Sequence, residues 1–326
     1  MNYITYEELS KDIYSNLDKI HRLNIDLVVG IPRSGMIPAF IIALALNVNC
    51  IDLNTFIQNR EIKKGKTREL RFDHEEKLPH QFDNVLLVDD TISTGKSLKL
   101  ELQKIPTSLK KKVITFAIYS SRKKRDDIDH FLRFLPNPRI FEWNIFHHSF
   151  VGESCIDIDG VLCSDPTKEQ NDDGEKYIDF ILNAPPKFLP TGEIEALVTN
   201  RLEKYRPQTE LWLAKHNIKY KKLIMLDLPS KEERQKSRAI FTHKSDYYKK
   251  SDNIIFIESD ISQAKVIHQE TGKAVFCVDD NTLIDSNSLI AIKKNPVRSI
   301  KSSVILQYKN LKGNVRRSLK RSLRQA

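Results

Sequence analysis

Short runs that are apolar on both faces recur along this chain, and two of them end in a pair of carboxylates: Val85–Asp90 (VLLVDD) and Cys155–Asp159 (CIDID). A strand apolar on both faces has to be covered on both, and helices are what covers it in a parallel sheet. In the first half Ile25–Ile31 and Val113–Tyr119 repeat the pattern, with helix-period segments from about Met36 to Leu46 and from about Gly95. It restarts in the second half with Cys155–Asp159, Ala196–Thr199, Lys222–Leu228, Ile254–Glu258 and Ala274–Asp279. The expectation is an α/β chain of two doubly wound domains. Its 326 residues agree, at roughly 150 residues per domain. The seam is predicted within Asn144–Glu153, giving domains over 1–148 and 153–285 and a tail over 286–326.

Charge separates the tail from the body. Residues 293–326 hold eleven Lys or Arg and no Asp or Glu, leaving 42 basic and 43 acidic residues in the first 292. The formal charge of +10 is therefore a property of the tail, and whole-chain basicity is no argument for nucleic-acid binding. In the tail Ile305, Tyr308, Leu311, Val315, Leu319 and Leu323 fall three or four apart among Arg316, Arg317, Lys320, Arg321 and Arg324. That is the pattern of a basic amphipathic helix able to lie on anionic lipid, weakened by Gly313. A solvated tail, or one docked on its own protein, is the alternative. The longest uncharged apolar run, Met36–Leu46, is too short to span a bilayer, and Met1–Ser10 lacks the pattern of a signal peptide. Four cysteines without a CxxC pair suit a reducing compartment and read as packing thiols. The expected location is cytoplasmic, or peripheral on the inner face of the cytoplasmic membrane.

The first candidate site is Val85–Leu98, VLLVDDTISTGKSL. A buried strand ends in Asp89 and Asp90, then a loop of Thr91, Ser93, Thr94 and Gly95 opens a helix at Lys96 and Ser97. Hydroxyls and backbone amides at a helix N-terminus seat phosphate, while two carboxylates accept hydrogen bonds from vicinal hydroxyls. Together they describe a ribose 5-phosphate site. The segment closely resembles the phosphoribosyl pyrophosphate (PRPP) signature of type I phosphoribosyltransferases, over about residues 1–148. The resemblance implies that Asp89 and Asp90 bind the ribose hydroxyls and the following loop binds the 5-phosphate. It also implies that Gly30–Gly35 (GIPRSG) holds pyrophosphate through Arg33, Ser34, Gly35 and backbone amides, with Mg²⁺ on the pyrophosphate. The polar stretch Gln58–Gln81, with Lys63, Lys64, Lys66, Arg68 and Arg71, stands where that family carries a lid.

The second candidate is Asp157-Ile-Asp159-Gly160-Val161-Leu162 after a short apolar strand. One carboxylate can attack phosphorus while the other moves the proton of the leaving oxygen. With Thr199, Lys244, Glu258 and Asp260 downstream, the order resembles the haloacid dehalogenase (HAD) phosphatase superfamily. By that resemblance Asp157 is the nucleophile, Asp159 the acid/base, and Thr199 and Lys244 hold the phosphoryl group. Asp157, Asp159, Glu258 and Asp260 then form the Mg²⁺ site, with the choice between Glu258 and Asp260 open. Thirty-nine residues from Asp159 to Thr199 and 44 from Thr199 to Lys244 leave little room for a cap domain, which favours bulky substrates. Arg201–Arg206 can contact an anionic substrate or form a solvated helix face. His147 and His148 read as linker residues, and Trp143 and Trp212 as core.

The tandem resembles phosphoribosyltransferase–HAD phosphatase fusions associated with ribofuranose addition to bacterial surface polysaccharides. This implies transfer of 5-phosphoribosyl from PRPP to a glycan, in particular a lipid-linked one, and then removal of the 5-phosphate. The alternatives are a nucleobase phosphoribosyltransferase fused to a nucleotidase, and a PRPP-sensing regulator. No nucleic-acid partner is expected, and homo-oligomerisation stays open.

Overall fold

A computed structural model describes residues 1–63, 70–71, 77–236 and 239–285. The central part of the expected lid and the whole basic tail lie outside the described residues. The chain divides into two compact units after Ile145.

In the first unit the elements are β1 (Asn2–Ile4), α1 (Tyr6–Tyr14), α2 (Leu17–His21), β2 (Leu27–Gly30), α3 (Met36–Leu46), β3 (Asn49–Asp52), α4 (Leu53–Ile57), β4 (Val85–Ile92), α5 (Lys96–Lys104), β5 (Val113–Ser120), β6 (His130–Phe134) and β7 (Arg139–Phe141). A five-stranded parallel sheet runs β3-β2-β4-β5-β6, and β1 pairs with β7 in a separate two-stranded ribbon. Alternation sorts the sheet into two cores. Val28, Leu86, Val88, Phe116 and Ile118 face the side covered by Leu9, Ile13, Ala39 and Ile42. Leu27, Val29, Val85, Leu87 and Ala117 face the side covered by Phe56 and Leu98. Helix α1 begins on a capping box, in which the Thr5 hydroxyl accepts from Glu8 N and Thr5 N donates to the Glu8 carboxylate. Helix α3 ends at Asn47, whose φ of 56° lets its amide return to Ala43.

The second unit contains β8 (Ser154–Ile156), α6 (Glu175–Asn183), β9 (Ile194–Leu202), α7 (Arg206–Lys215), β10 (Tyr220–Leu226), α8 (Lys231–Lys236), α9 (Ala239–Lys250), β11 (Ile255–Glu258), α10 (Ile261–Thr271), β12 (Ala274–Cys277) and β13 (Thr282–Ile284). Its sheet runs β10-β9-β8-β11-β12-β13, parallel throughout except for β13, which turns back antiparallel on β12. Cys155, Ala196, Val198, Phe256 and Val275 line one face against Tyr248, Ala264 and Ile267.

The expectation of a helix face over Arg201–Arg206 is corrected here. Strand β9 runs on through Leu202, and Arg201 is buried within it at 1% exposure. No helix among the described residues is long and apolar enough to cross a membrane.

Candidate functional site

In the first unit β2 and β4 are neighbours in register, Gly30 opposite Val88, so the loops that follow them emerge side by side at the carboxyl edge of the sheet. Such an edge is where an open α/β sheet binds its ligands. Gly35 seals the two loops together. A Cβ there would stand 2.6 Å from the Ile31 carbonyl oxygen and 2.7 Å from that of Val88. The Pro32–Arg33 peptide is cis, and the Arg33 side chain is exposed. Ser34 crosses to the end of β4, which runs on through both acids to Ile92, and the Ser34 hydroxyl donates to Asp90 Oδ1 at 2.9 Å.

The two acids are not equivalent. Asp90 is 4% exposed and also accepts from Trp143 Nε1 at 2.7 Å. Asp89 is half-buried and receives the Asp90 amide at 2.9 Å. Burial, followed by the neighbouring Asp90 charge, pushes the Asp89 carboxyl well above the ordinary carboxylate range. A ligand bringing hydroxyl donors or a cation to this edge would relieve that repulsion. Thr91 turns away from the loop mouth, its hydroxyl donating to the Tyr119 carbonyl at 3.3 Å. Ser93, Thr94, Lys96 and Ser97 are exposed, and Gly95 makes the turn into α5 with φ +80°. Helix α5 is docked by Leu98 in the core, so its N-terminus has a fixed address.

Register also builds the second site. Ile156 pairs with Leu197 on one side and Ile257 on the other, so the next residues of the three central strands converge at the carboxyl edge. Asp157 arrives from β8, Thr199 from β9 and Glu258 from β11. Lys244 reaches in from α9, and its ammonium donates to Asp157 Oδ2 and to Glu258 Oε2, both at 2.7 Å. Lys244 is 2% exposed and Glu258 is fully buried. Burial raises the Asp157 carboxyl above its ordinary range, against the pull of the Lys244 ammonium. Burial alone would lower the Lys244 ammonium, but Asp157 and then Glu258 carry it above its ordinary value.

Asp159 is held differently. The Arg201 guanidinium forks onto it, Nη2 to Oδ1 at 2.6 Å and Nε to Oδ2 at 3.1 Å. Thr199 accepts the Arg201 amide at 3.2 Å and is fully buried. Lys187 closes the DxDG turn by donating to the Gly160 carbonyl at 2.6 Å. Gly160 itself has φ +76°, and a Cβ there would stand 2.2 Å from Ser259 Oγ. Asp260 is exposed and caps α10, accepting from Gln263 N at 2.8 Å. Of the two acids left open for a metal, Glu258 is the one gathered with Asp157. Carboxylates are the donors Mg²⁺ takes, but each oxygen of this pair already accepts a hydrogen bond, from Ile158 N or Lys244 on Asp157 and from Ser259 N, Asp260 N or Lys244 on Glu258, so a metal would have to share them. Among the described residues no group of three or more His, Cys, Asp or Glu side chains is assembled to hold a metal.

Four contributors were not assigned from sequence: Trp143, Lys187, Arg201 and, beneath the first loop, Arg125. Arg201 carried a weak signal. It follows Thr199 by two residues, although the pairing of β9 with β10 shifts register between Val198 and Leu202, so plain alternation does not place it.

Comparison with known proteins bears on the first unit. Residues 3–151 match the family model described as "Phosphoribosyl transferase domain". The purine phosphoribosyltransferase of Pyrococcus horikoshii aligns at 21% identity, covering 43% of this chain and 92% of its own, with a TM-score of 0.30. The xanthine-guanine-hypoxanthine phosphoribosyltransferase of Helicobacter pylori aligns at 17% identity over 44% of this chain and 93% of its own, with a TM-score of 0.31. No curated protein matches the chain. The first unit, of mixed α/β type with a parallel sheet, thus contains most of the segment that matches the phosphoribosyl transferase domain model.

Proposed function

We propose that the chain is a bifunctional ribofuranosyltransferase: the first unit transfers 5-phosphoribosyl from PRPP to a glycan, and the second is a HAD-type phosphatase that removes the 5-phosphate. The observation that carries this reading is the buried Asp157–Lys244–Glu258 cluster at the carboxyl edge of a second parallel sheet, in a chain whose first unit matches a phosphoribosyl transferase domain.

In the transfer step C1 of the ribose loses its bond to a pyrophosphate oxygen and gains one to an acceptor hydroxyl oxygen, whose proton is released. Asp89 and Asp90 take the ribose hydroxyls, the Ser93–Ser97 segment the 5-phosphate, and Arg33, Ser34 and Gly35 the departing pyrophosphate, whose charge Mg²⁺ would help to neutralise. Charge on the leaving group and alignment of the acceptor are what this chemistry requires.

In the second step an Asp157 oxygen attacks phosphorus and the ribose 5-oxygen departs with a proton, leaving an acyl phosphate that water opens. Lys244 and Thr199 bind the phosphoryl oxygens, and Arg201 aims Asp159 at the leaving oxygen. Mg²⁺ held by Asp157 and Glu258 would neutralise the phosphoryl charge.

A glycan acceptor is favoured because a nucleotide made at one site and dephosphorylated at the next serves no salvage purpose. The packing of the second unit points the same way. The segment from Asp159 to Thr199 is occupied by α6, which packs on α7: Trp212 Nε1 donates to the Ala184 carbonyl at 2.8 Å, and Tyr177 meets Tyr205 edge-on at 5.0 Å. This segment contributes to the body of the unit, which is the arrangement expected of a site without a cap domain. A lipid-linked glycan would draw the protein to the membrane surface, the role proposed for the tail.

The test is Asp157→Asn in the full chain, incubated with PRPP, Mg²⁺ and, in parallel, a panel of glycans and nucleobases. The expected product is a phosphopentosyl glycan that loses its phosphate when wild type is added. Nucleotides formed instead would overturn the glycan reading.

A further inference from the structure

The phosphate loop of the first unit rests on two buried guanidinium groups that no sequence motif marks. Arg125, whose side chain is 1% exposed, comes from the connection between β5 and β6 and donates through Nη1 to the Ser93 carbonyl at 2.7 Å. The Ser121 hydroxyl donates to the same oxygen at 3.2 Å. One residue earlier the Ile92 carbonyl also has two donors, the Ser121 amide at 3.1 Å and Arg139 Nη2 at 3.1 Å. Arg139 is 7% exposed, and its Nη1 has no partner among the described residues.

A carbonyl has two lone pairs, and both of these are filled from the body of the unit. In a planar trans peptide the C=O and the following N–H point in opposite directions. Fixing the Ile92 and Ser93 carbonyls inward therefore turns the amides of Ser93 and Thr94 outward, towards the loop mouth. The same Arg125 supports the next residue. Its Nε and Nη2 fork onto Asp127, at 2.7 and 2.5 Å, and Asp127 Oδ2 stands 2.1 Å from where a Gly95 Cβ would be. The ion pair thus packs directly against Gly95, whose φ of +80° is the conformation that favours glycine.

We propose that Arg125, with Ser121 and Arg139, is a positioning residue that pre-orients the amides of the Ser93–Gly95 loop for a sugar 5-phosphate; this rests on the phosphoribosyl reading of the site. None of the three has to touch the ligand. Their effect is to remove the rearrangement that would otherwise accompany binding, so the loss on mutation falls on one phosphate and spares the pyrophosphate held by the neighbouring loop.

The experiment titrates ribose 5-phosphate alone and pyrophosphate alone, each with Mg²⁺, into the full chain by calorimetry. Arg125→Ala is expected to weaken ribose 5-phosphate binding by about tenfold or more, the loss of one to two charge-assisted hydrogen bonds. Pyrophosphate binding should be unchanged. Ser121→Ala removes one hydroxyl and leaves the ion pair in place, so it keeps the test alive should Arg125→Ala not fold; about threefold is expected in the same direction. Equal losses for both ligands, or no loss for ribose 5-phosphate in either variant, would overturn the positioning role. Wild type that fails to bind ribose 5-phosphate would instead overturn the phosphate-seat reading on which it rests.

Discussion

Gly35→Ala should reduce pyrophosphate release by about 10²-fold, the penalty for displacing a reacting group by about an ångström. The added methyl would meet the Ile31 and Val88 carbonyl oxygens at 2.6 and 2.7 Å and the Asp89 Cα at 3.1 Å. All three are backbone atoms, one of the first loop and two of β4, so no side chain can swing aside. Separating the loops moves Ser34 away from Asp90 and breaks the alignment of the pyrophosphate seat with the ribose acids. Overpacking of this kind costs about 1–3 kcal/mol, which lowers the melting temperature without unfolding the chain. Phosphate release from a supplied 5-phosphoribosyl glycan should be untouched, because the change lies wholly in the first unit. Gly30→Ala is the control. Its nearest contact is the Met36 sulfur at 2.5 Å, on a flexible side chain, with the Met36 Cα and Ala39 Cβ next at 3.0 Å, against two backbone atoms under 3.0 Å at Gly35, so a smaller loss is expected.

Lys244→Met should abolish phosphate release and also destabilise the second unit by about 3–5 kcal/mol. The ammonium is the shared partner of two carboxylates, with side-chain exposures of 2% for Lys244, 7% for Asp157 and 0% for Glu258. Removing it leaves two buried like charges facing each other with no cation between them. Adding Glu258→Gln to Lys244→Met deletes one of those charges and should recover much of the stability, yet none of the activity. Chemical denaturation followed through Trp212 in a Trp143→Phe background, which leaves a single indole, reads the second unit directly. If Lys244→Met and the double variant unfold alike, the cluster is not the electrostatic unit described. Pyrophosphate release should persist in both.

Much of the frame was legible because it follows from periodicity and from side-chain chemistry. Apolar runs marked β2, β4 and β5 and five strands of the second sheet to within a few residues, and α3 falls over the expected Met36–Leu46. The short strands were not legible: Asn2–Ile4 and Arg139–Phe141 pair only because tertiary packing brings the two ends of the unit together. For the same reason Trp143 read as a core residue, whereas its indole donates to Asp90 from 53 positions away. Arg201 read as part of a solvated helix face or a substrate contact because charged residues cluster after Thr199, while its pairing with Asp159 lets it lie buried in the strand. Arg125 sits in an exposed-looking run of charge, Arg122–Arg125, and nothing local separates the buried guanidinium from its neighbours.

The most direct test follows both leaving groups at once. Wild-type full chain, PRPP, Mg²⁺ and a glycan acceptor are mixed, and pyrophosphate, inorganic phosphate and acceptor mass are measured together over time. The expected result is one pyrophosphate and one phosphate per acceptor consumed, phosphate lagging behind pyrophosphate, and a product heavier by a single pentose. Pyrophosphate without phosphate and a product that keeps its 5-phosphate would contradict the two-step account, as would nucleoside formed from a nucleobase while the glycan stays unchanged.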